Sequence, residues 1–87
     1  MKFEYDAEKS RINAVKHGID FEGAQALWND PWLLEAPART VDEPRIIAIG
    51  RIRGRYWVAI WTPRGDMVRI ISVRRARREE VDRYESA

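Results

Sequence analysis

The residues best equipped for chemistry in this 87-residue chain are its arginines, and they are crowded together. Of the 16 Lys and Arg side chains, thirteen are Arg. Residues 1–44 carry a net charge of −4; residues 45–78 carry +9, with Asp66 as their only acid; the last nine residues return to −3. Arg offers a planar fork of donors that fits phosphate, whereas Lys is a compact, strongly hydrated point charge. A chain polarised in this way suits a polyanion such as nucleic acid. A genome rich in Arg codons would account for the excess of Arg but not for its clustering.

Within the cluster, Arg69 and Arg74 flank a strand-like apolar run. Arg74, Arg75, Arg77 and Arg78 then crowd what reads as the start of a helix. The helix macrodipole disfavours cations there, and an anion bound at that junction would relieve the conflict. In the competing reading, Glu79, Glu80, Asp82 and Glu85 neutralise the cluster through surface pairs. Arg75–Glu79 and Arg78–Asp82 have the right helical spacing, although such pairs contribute only about 0.3–0.5 kcal/mol each. The odd sequence difference between Arg69 and Arg74 sets them on opposite sheet faces, unless the strand bends or ends before Arg74.

Four other groups of residues carry two readings each. His17, the single imidazole, is either an acid–base group near neutral pH or a histidine that closes a helix beside Gly18. Glu43 and Arg45 stand two apart and so on one side of an extended chain. They form a structural ion pair, or a base beside a phosphate-binding arginine. Tyr84 either meets RNA through its hydroxyl or ring, or anchors a helix at helical spacing from Ala76 and Glu80. Trp57 and Trp61 share one face of a strand and read as core, while Trp32, in a Pro-rich connection, is the tryptophan expected to be exposed and able to stack on a base.

The elements that must position these groups follow from pattern and punctuation. Lys2–Tyr5 alternates as a short strand does. Asp6 can cap a helix that ends at Gly18, with Ile12, Val15 and Ile19 at spacings of three and four as its apolar face. Asp20 can cap a second helix with Phe21, Ala24, Leu27 and Trp28 inside, stopped by Asn29-Asp30-Pro31. An irregular, Pro-containing connection to Pro44 holds a short edge strand near Leu33–Ala36. Three strands then follow, Arg45–Arg53, Arg55–Thr62 and Met67–Val73. They are joined by a tight hairpin at Arg53-Gly54 and a turn at Pro63-Arg64-Gly65-Asp66. In the last strand, Val68, Ile70 and Ser72 are expected on one face, and Met67, Arg69, Ile71 and Val73 on the other. A terminal helix spans about 75–85, with Ala76, Val81 and Tyr84 inward.

The predicted fold is therefore α+β: two N-terminal helices packed on one face of a mainly antiparallel, four- to five-stranded sheet, with a C-terminal helix. This length allows a single domain with one modest core. Cysteine is absent, so disulfides and Cys-based zinc sites are excluded. No apolar run approaches the roughly 20 residues of a membrane helix. The opening Met-Lys-Phe-Glu-Tyr-Asp lacks the apolar core of a signal peptide, so a cytoplasmic location is expected.

Two sets of segments together carry a resemblance. The first is Phe3-Glu-Tyr-Asp6, Lys9, Asn13, Lys16-His17-Gly18-Ile19, Phe21 and Ala24. The second is Glu43, Arg45, Ile49-Gly50, Gly54-Arg55, Arg64-Gly65-Asp66, Arg69-Ile-Ile-Ser-Val-Arg-Arg-Ala76, Glu80 and Tyr84. The chain resembles the BrnT family, toxins of type II toxin–antitoxin pairs with a RelE-like ribonuclease fold. That resemblance implies one toxin domain over residues 1–87, cleaving mRNA without metal or other cofactor to inhibit translation. It also implies a BrnA-like DNA-binding antitoxin as partner, through which the complex reaches operator DNA. Arg69, Arg74 and Arg45 would then stabilise the scissile phosphate, with His17 and Glu43 as proton-transfer candidates. Arg75, Arg77, Arg78, Tyr84 and Arg64 would hold flanking RNA. The alternative is a non-catalytic, nucleic-acid-binding or partner-stabilised subunit of a DNA-binding repressor complex.

Overall fold

The computed structural model describes residues 1–39 and 42–87; Thr40 and Val41, in the connection expected to be irregular, lie outside the described residues. The elements run β1 (Lys2–Glu4), α1 (Ala7–His17), a 3-10 helix (Gly23–Asn29), β2 (Leu34–Pro37), β3 (Ile46–Ile52), β4 (Arg55–Arg64), β5 (Met67–Arg75) and α2 (Arg78–Ser86). The strands form one five-stranded sheet in the order β1-β5-β4-β3-β2. β4, whose run Tyr56–Trp61 is apolar on both alternating faces, is central, as its pattern demands. The three hairpin-related pairs are antiparallel, whereas β1 joins β5 in parallel, so the sheet is mixed. No helix among the described residues is long and apolar enough to cross a membrane.

Asp6 starts α1 by accepting the amides of Glu8 and Lys9 at 2.9 and 3.1 Å. Gly18 ends it with a φ of +81°, its N–H donating to the Ala14 carbonyl at 2.9 Å. Both caps are as expected, but the buried face is not. Ile12 and Val15 are 48% and 82% exposed, while Ser10 and Asn13 are each only 7% exposed. The physical reason is what α1 docks against: strand and loop backbone, which requires donors and acceptors rather than methyl groups.

Asn13 is the clearest case. β1 stops at Glu4, opposite Arg69, so β5 beyond that point has no strand on that side. There the Asn13 carboxamide takes the place of a strand. Its Nδ2 donates to the carbonyls of Val73 and Ile19 at 2.9 and 2.8 Å, and its Oδ1 accepts the Val73 amide at 3.3 Å. The other side of the sheet has a counterpart. β2 begins only opposite Ile49, and beyond that point the Asp30 carboxylate accepts the exposed Arg51 amide of β3 at 2.8 Å. Each side chain satisfies backbone groups that would otherwise be left unpaired.

The second helix is also corrected. Asp20 does accept the Gly23 amide, at 2.7 Å, but the segment winds as a 3-10 helix. It is short enough that few i→i−4 bonds would form in any case. Its inner residues are those expected. Phe21, Ala24 and Leu27 meet Ala48, Trp57, Ala59, Val68, Ile70 and Val73 on one face of the sheet, hereafter the core face. Along the edge of that core, Phe3, Trp28 and Trp61 stack edge-to-face at 5.1 and 6.3 Å, ending where Trp61 Nε1 donates to Glu35 at 2.9 Å. Gly50 passes so close beneath Leu27 that a Cβ would stand 2.9 Å from its Cδ2.

The hairpin at Arg53-Gly54 has both residues in the left-handed region, at φ +51° and +81°. This is the two-residue turn whose twist matches paired strands. The second hairpin is tighter than expected. Pairing continues through Pro63↔Val68 and Arg64↔Met67, leaving only Gly65-Asp66 as the turn. β5 continues to Arg75, so the terminal helix starts later than expected, at Arg78.

Candidate functional site

The strict alternation expected of β5 fails at one residue, and that failure builds the site. Ile60 pairs with Ser72 but Trp61 pairs with Ile70, so Ile71 is an extra residue, a β-bulge. A bulge reverses the facing of everything beyond it. Val73 therefore joins Ile70 on the core face, and Arg69, Ser72 and Arg74 share the opposite one. The cross-strand partners agree: Thr62, Ile60 and Val58 of β4 stand opposite these three residues. The requirement that the strand bend before Arg74 is met by the bulge. At about 3.3 Å per residue, the two arginines arise about 13 Å apart on one face.

Neither guanidinium is bare. Arg69 Nη1 donates to Glu4 Oε2 at 2.8 Å, a cross-strand pair made possible by the parallel register Glu4↔Arg69. Arg74 holds Glu80 through two parallel bonds of 2.8 Å and also donates to the Arg75 carbonyl at 3.2 Å. This clamp holds the Glu80 carboxyl below its ordinary range and raises Arg74 above its own. Glu80 Oε1 also accepts the Arg77 amide at 2.7 Å, at the first turn of α2. Each arginine keeps further N–H groups not used by its carboxylate, because a guanidinium has five.

α2 lies over the end of this face nearest the β3–β4 hairpin. Tyr84 packs edge-to-face on Tyr56 at 5.5 Å, and Tyr56 donates to Glu85. Tyr84 in turn donates to Asp30 at 2.7 Å. Burial alone would push the Asp30 carboxyl up, but the Tyr84 hydroxyl and the amides of Trp32 and Arg51 together hold it below its ordinary range. Burial, reinforced by the bond to Asp30, pushes the Tyr84 hydroxyl up to about 12.

The remaining expected site residues are dispersed. Arg75 is not on the face of Arg74. It extends over the Trp57 ring, 5.4 Å from its centroid, and makes no pair with Glu79. Arg78 does pair with Asp82, at 3.3 Å and well exposed. Arg77 precedes α2, and Arg64 stands exposed at the end of β4. Glu43 and Arg45 form an exposed ion pair of 3.7 Å. Thr62, the cross-strand neighbour of Arg69, donates to the Pro44 carbonyl and so brings that pair to the Arg69 end of the sheet. His17 closes α1 half-buried and does not meet the arginines in any contact among the described residues. The sequence reading overlooked Ser72 and Asp30. Ser72 had a signal, since it lies between Arg69 and Arg74, but only the bulge puts it on their face. In sequence Asp30 marks only a helix stop, and its role as a hub depends on contacts distant along the chain. Among the described residues no three His, Cys, Asp or Glu side chains converge to hold a metal ion.

The fold is thus a small α+β domain whose mixed sheet presents two arginines on one face, with a cationic hairpin beside them. The family model for ribonuclease toxins of the BrnT kind, from type II toxin–antitoxin systems, matches residues 5–80. The chain belongs to that family. No curated protein shows significant sequence similarity to it.

Proposed function

We propose that this toxin is an endoribonuclease that cleaves mRNA without a metal ion and so stops translation. The observation that carries the reading is the bulge at Ile71, which gathers Arg69, Ser72 and Arg74 on one face. In the reaction, the ribose 2′-oxygen attacks the phosphorus and loses its proton to a base. The P–O5′ bond breaks and the 5′-oxygen gains a proton, leaving a 2′,3′-cyclic phosphate and a 5′-hydroxyl end. Arg69 and Arg74 supply fixed positive charge to the phosphorane, with Glu4 and Glu80 orienting them. Arg45 adds charge at the Arg69 end, where Glu43 beside it at 3.7 Å is the proton-transfer candidate nearer to this face; His17, the other candidate, would need the RNA to reach the end of α1. Arg64, Arg75, Arg77, Arg78 and Tyr84 serve flanking RNA.

A BrnA-like DNA-binding antitoxin silences the toxin by covering the cationic face and links the pair to operator DNA. Support for this partner comes from the family and from the charge of the surface to be covered. The test is to map RNA 5′ ends after brief induction and to repeat cleavage with purified protein in excess chelator. New 5′-hydroxyl ends are expected in both, and alanine at Arg69 or Arg74 should slow cleavage by about 10²–10³-fold while the protein stays folded. Intact RNA from folded wild-type protein overturns the proposal, and salt-dependent binding without cleavage would leave the nucleic-acid-binding subunit instead.

A further inference from the structure

Trp32 is 74% exposed, while the other three tryptophans are buried or packed against the core. An indole left in water forgoes a large hydrophobic gain, yet the backbone beneath this one is firmly built. Pro31 restricts its approach, and Asp30 accepts the Trp32 amide at 2.9 Å through Oδ1. Through Oδ2, Asp30 also binds β3 and α2 by way of the Arg51 amide and the Tyr84 hydroxyl. Trp32 is therefore a ridge fixed from below and uncovered above.

Two clefts adjoin the ridge. One, of about 590 Å³, is walled by Leu33, Leu34, Arg51, Tyr56 and Tyr84. The other, of about 470 Å³, is walled by Ala26, Asn29, Arg51, Ile52 and Arg53. Arg51 borders both. Its guanidinium lies 5.0 Å from the Tyr56 centroid, an arrangement that occupies its face and leaves the N–H edge available. The acids nearby, Asp30 and Glu85, have their hydrogen bonds satisfied by neutral donors and keep their charge, and among the described residues neither forms an ion pair with Arg51 or Arg53. The second cleft thus sets two guanidiniums, Arg51 and Arg53, against the single carboxylate of Asp30, beside an exposed aromatic face.

We propose that Trp32 and its two clefts form a stacking subsite for one unpaired base of single-stranded RNA, with Arg51 and Arg53 holding the adjoining phosphates. The subsite rests on the RNA-cleaving reading above and adds a second, non-catalytic contact at the hairpin end of the sheet. Charge alone admits an acidic antitoxin segment as readily as RNA, and the platform decides the occupant: an aromatic face rimmed by arginines matches a base flanked by phosphates, because a base presents a π-face to stack and a carboxylate does not.

The test uses the full chain and a dye-labelled, fully 2′-O-methylated single-stranded RNA, which lacks the attacking hydroxyl and cannot be cut. Binding is read by fluorescence anisotropy at several salt concentrations. Trp32→Ala should weaken binding about tenfold, within the range of one lost base stack, and Trp32→Phe by no more than about threefold. Arg53→Gln should lower the salt dependence by about one phosphate contact, a slope change of roughly 0.7. An unchanged thermal midpoint in Trp32→Ala will show that the fold is intact. If that variant binds as wild type does while the wild type still cleaves ordinary RNA, the subsite is refuted and the ribonuclease reading stands. Normal RNA binding combined with failure of the antitoxin to silence Trp32→Ala refutes it as well, and assigns the ridge to the antitoxin. Wild-type protein that neither binds nor cleaves RNA removes both.

Discussion

Replacing Asn13 with alanine should be among the most damaging single changes outside the apolar core, although α1 looks amphipathic in a way that makes Ile12 and Val15 the important residues. Asn13→Ala removes three hydrogen bonds and leaves the amide and carbonyl of Val73, which is itself fully buried, without partners. A buried group left unsatisfied costs about 1–3 kcal/mol. Allowing for partial relaxation, the loss should be roughly 3 kcal/mol. For a chain of this length 1 kcal/mol moves the thermal midpoint by roughly 5–6 °C, so the midpoint should fall by about 15 °C. Asn13→Asp should do at least as much harm, since it keeps an acceptor for the Val73 amide but turns a carboxylate toward two carbonyls. Val15→Ala, at a position 82% exposed, should change stability by less than about 0.5 kcal/mol. Calorimetry and urea titration of the three variants will check the ranking. An Asn13→Ala cost below about 0.5 kcal/mol, or one below that of Val15→Ala, would refute the claim that α1 is seated by polar bonds to the edge of β5.

Gly50→Ala should cost about 1–3 kcal/mol through overpacking, because its Cβ would crowd Leu27, Leu33 and the Asp30 carboxylate at 2.9, 3.0 and 3.2 Å; urea midpoints will show it. Arg53→Asn should stabilise the hairpin by roughly 0.5–1 kcal/mol, since Arg53 holds a φ of +51° that Asn tolerates better; no gain in thermal midpoint would count against this turn. Folding lowers the carboxyl pKa of both Glu80 and Asp30. Their stabilisation is therefore complete above the unfolded carboxylate range near about 4.3 and is lost as pH falls through their folded values. Thermal midpoints measured from pH 6 to 3 should fall, and Glu80→Gln should have the shallower slope; parallel slopes would discount the Arg74 clamp. Tyr84 should resist ionisation, its phenolate absorbance emerging only near about pH 12, as its hydroxyl is pushed to about that value; titration of Tyr84→Phe against wild type isolates its contribution.

The chain's local chemistry was legible wherever a residue acts through its own backbone or near neighbours. Asp6 and Gly18 mark the ends of α1 because capping is settled within a few residues. Arg53-Gly54 marks a hairpin and Asn29-Asp30-Pro31 a stop for the same reason. The apolar run of β4 placed it at the centre of the sheet, and the charge asymmetry told which half carries the cationic surface. The family, too, was readable from segments spread along the chain. Tertiary structure alone decided which residues of α1 are inside, because helical periodicity counts methyl groups and does not reveal that the docking partner is backbone. It also decided the company kept by the arginines. Alternation assigned Arg69 and Arg74 to opposite faces until one extra residue, Ile71, reversed the strand. The carboxylates that hold them come from β1 and α2, elements at opposite ends of the chain. A bulge depends on register with a neighbouring strand and an ion pair on proximity across the fold, and neither quantity is written in the spacing of residues along one segment.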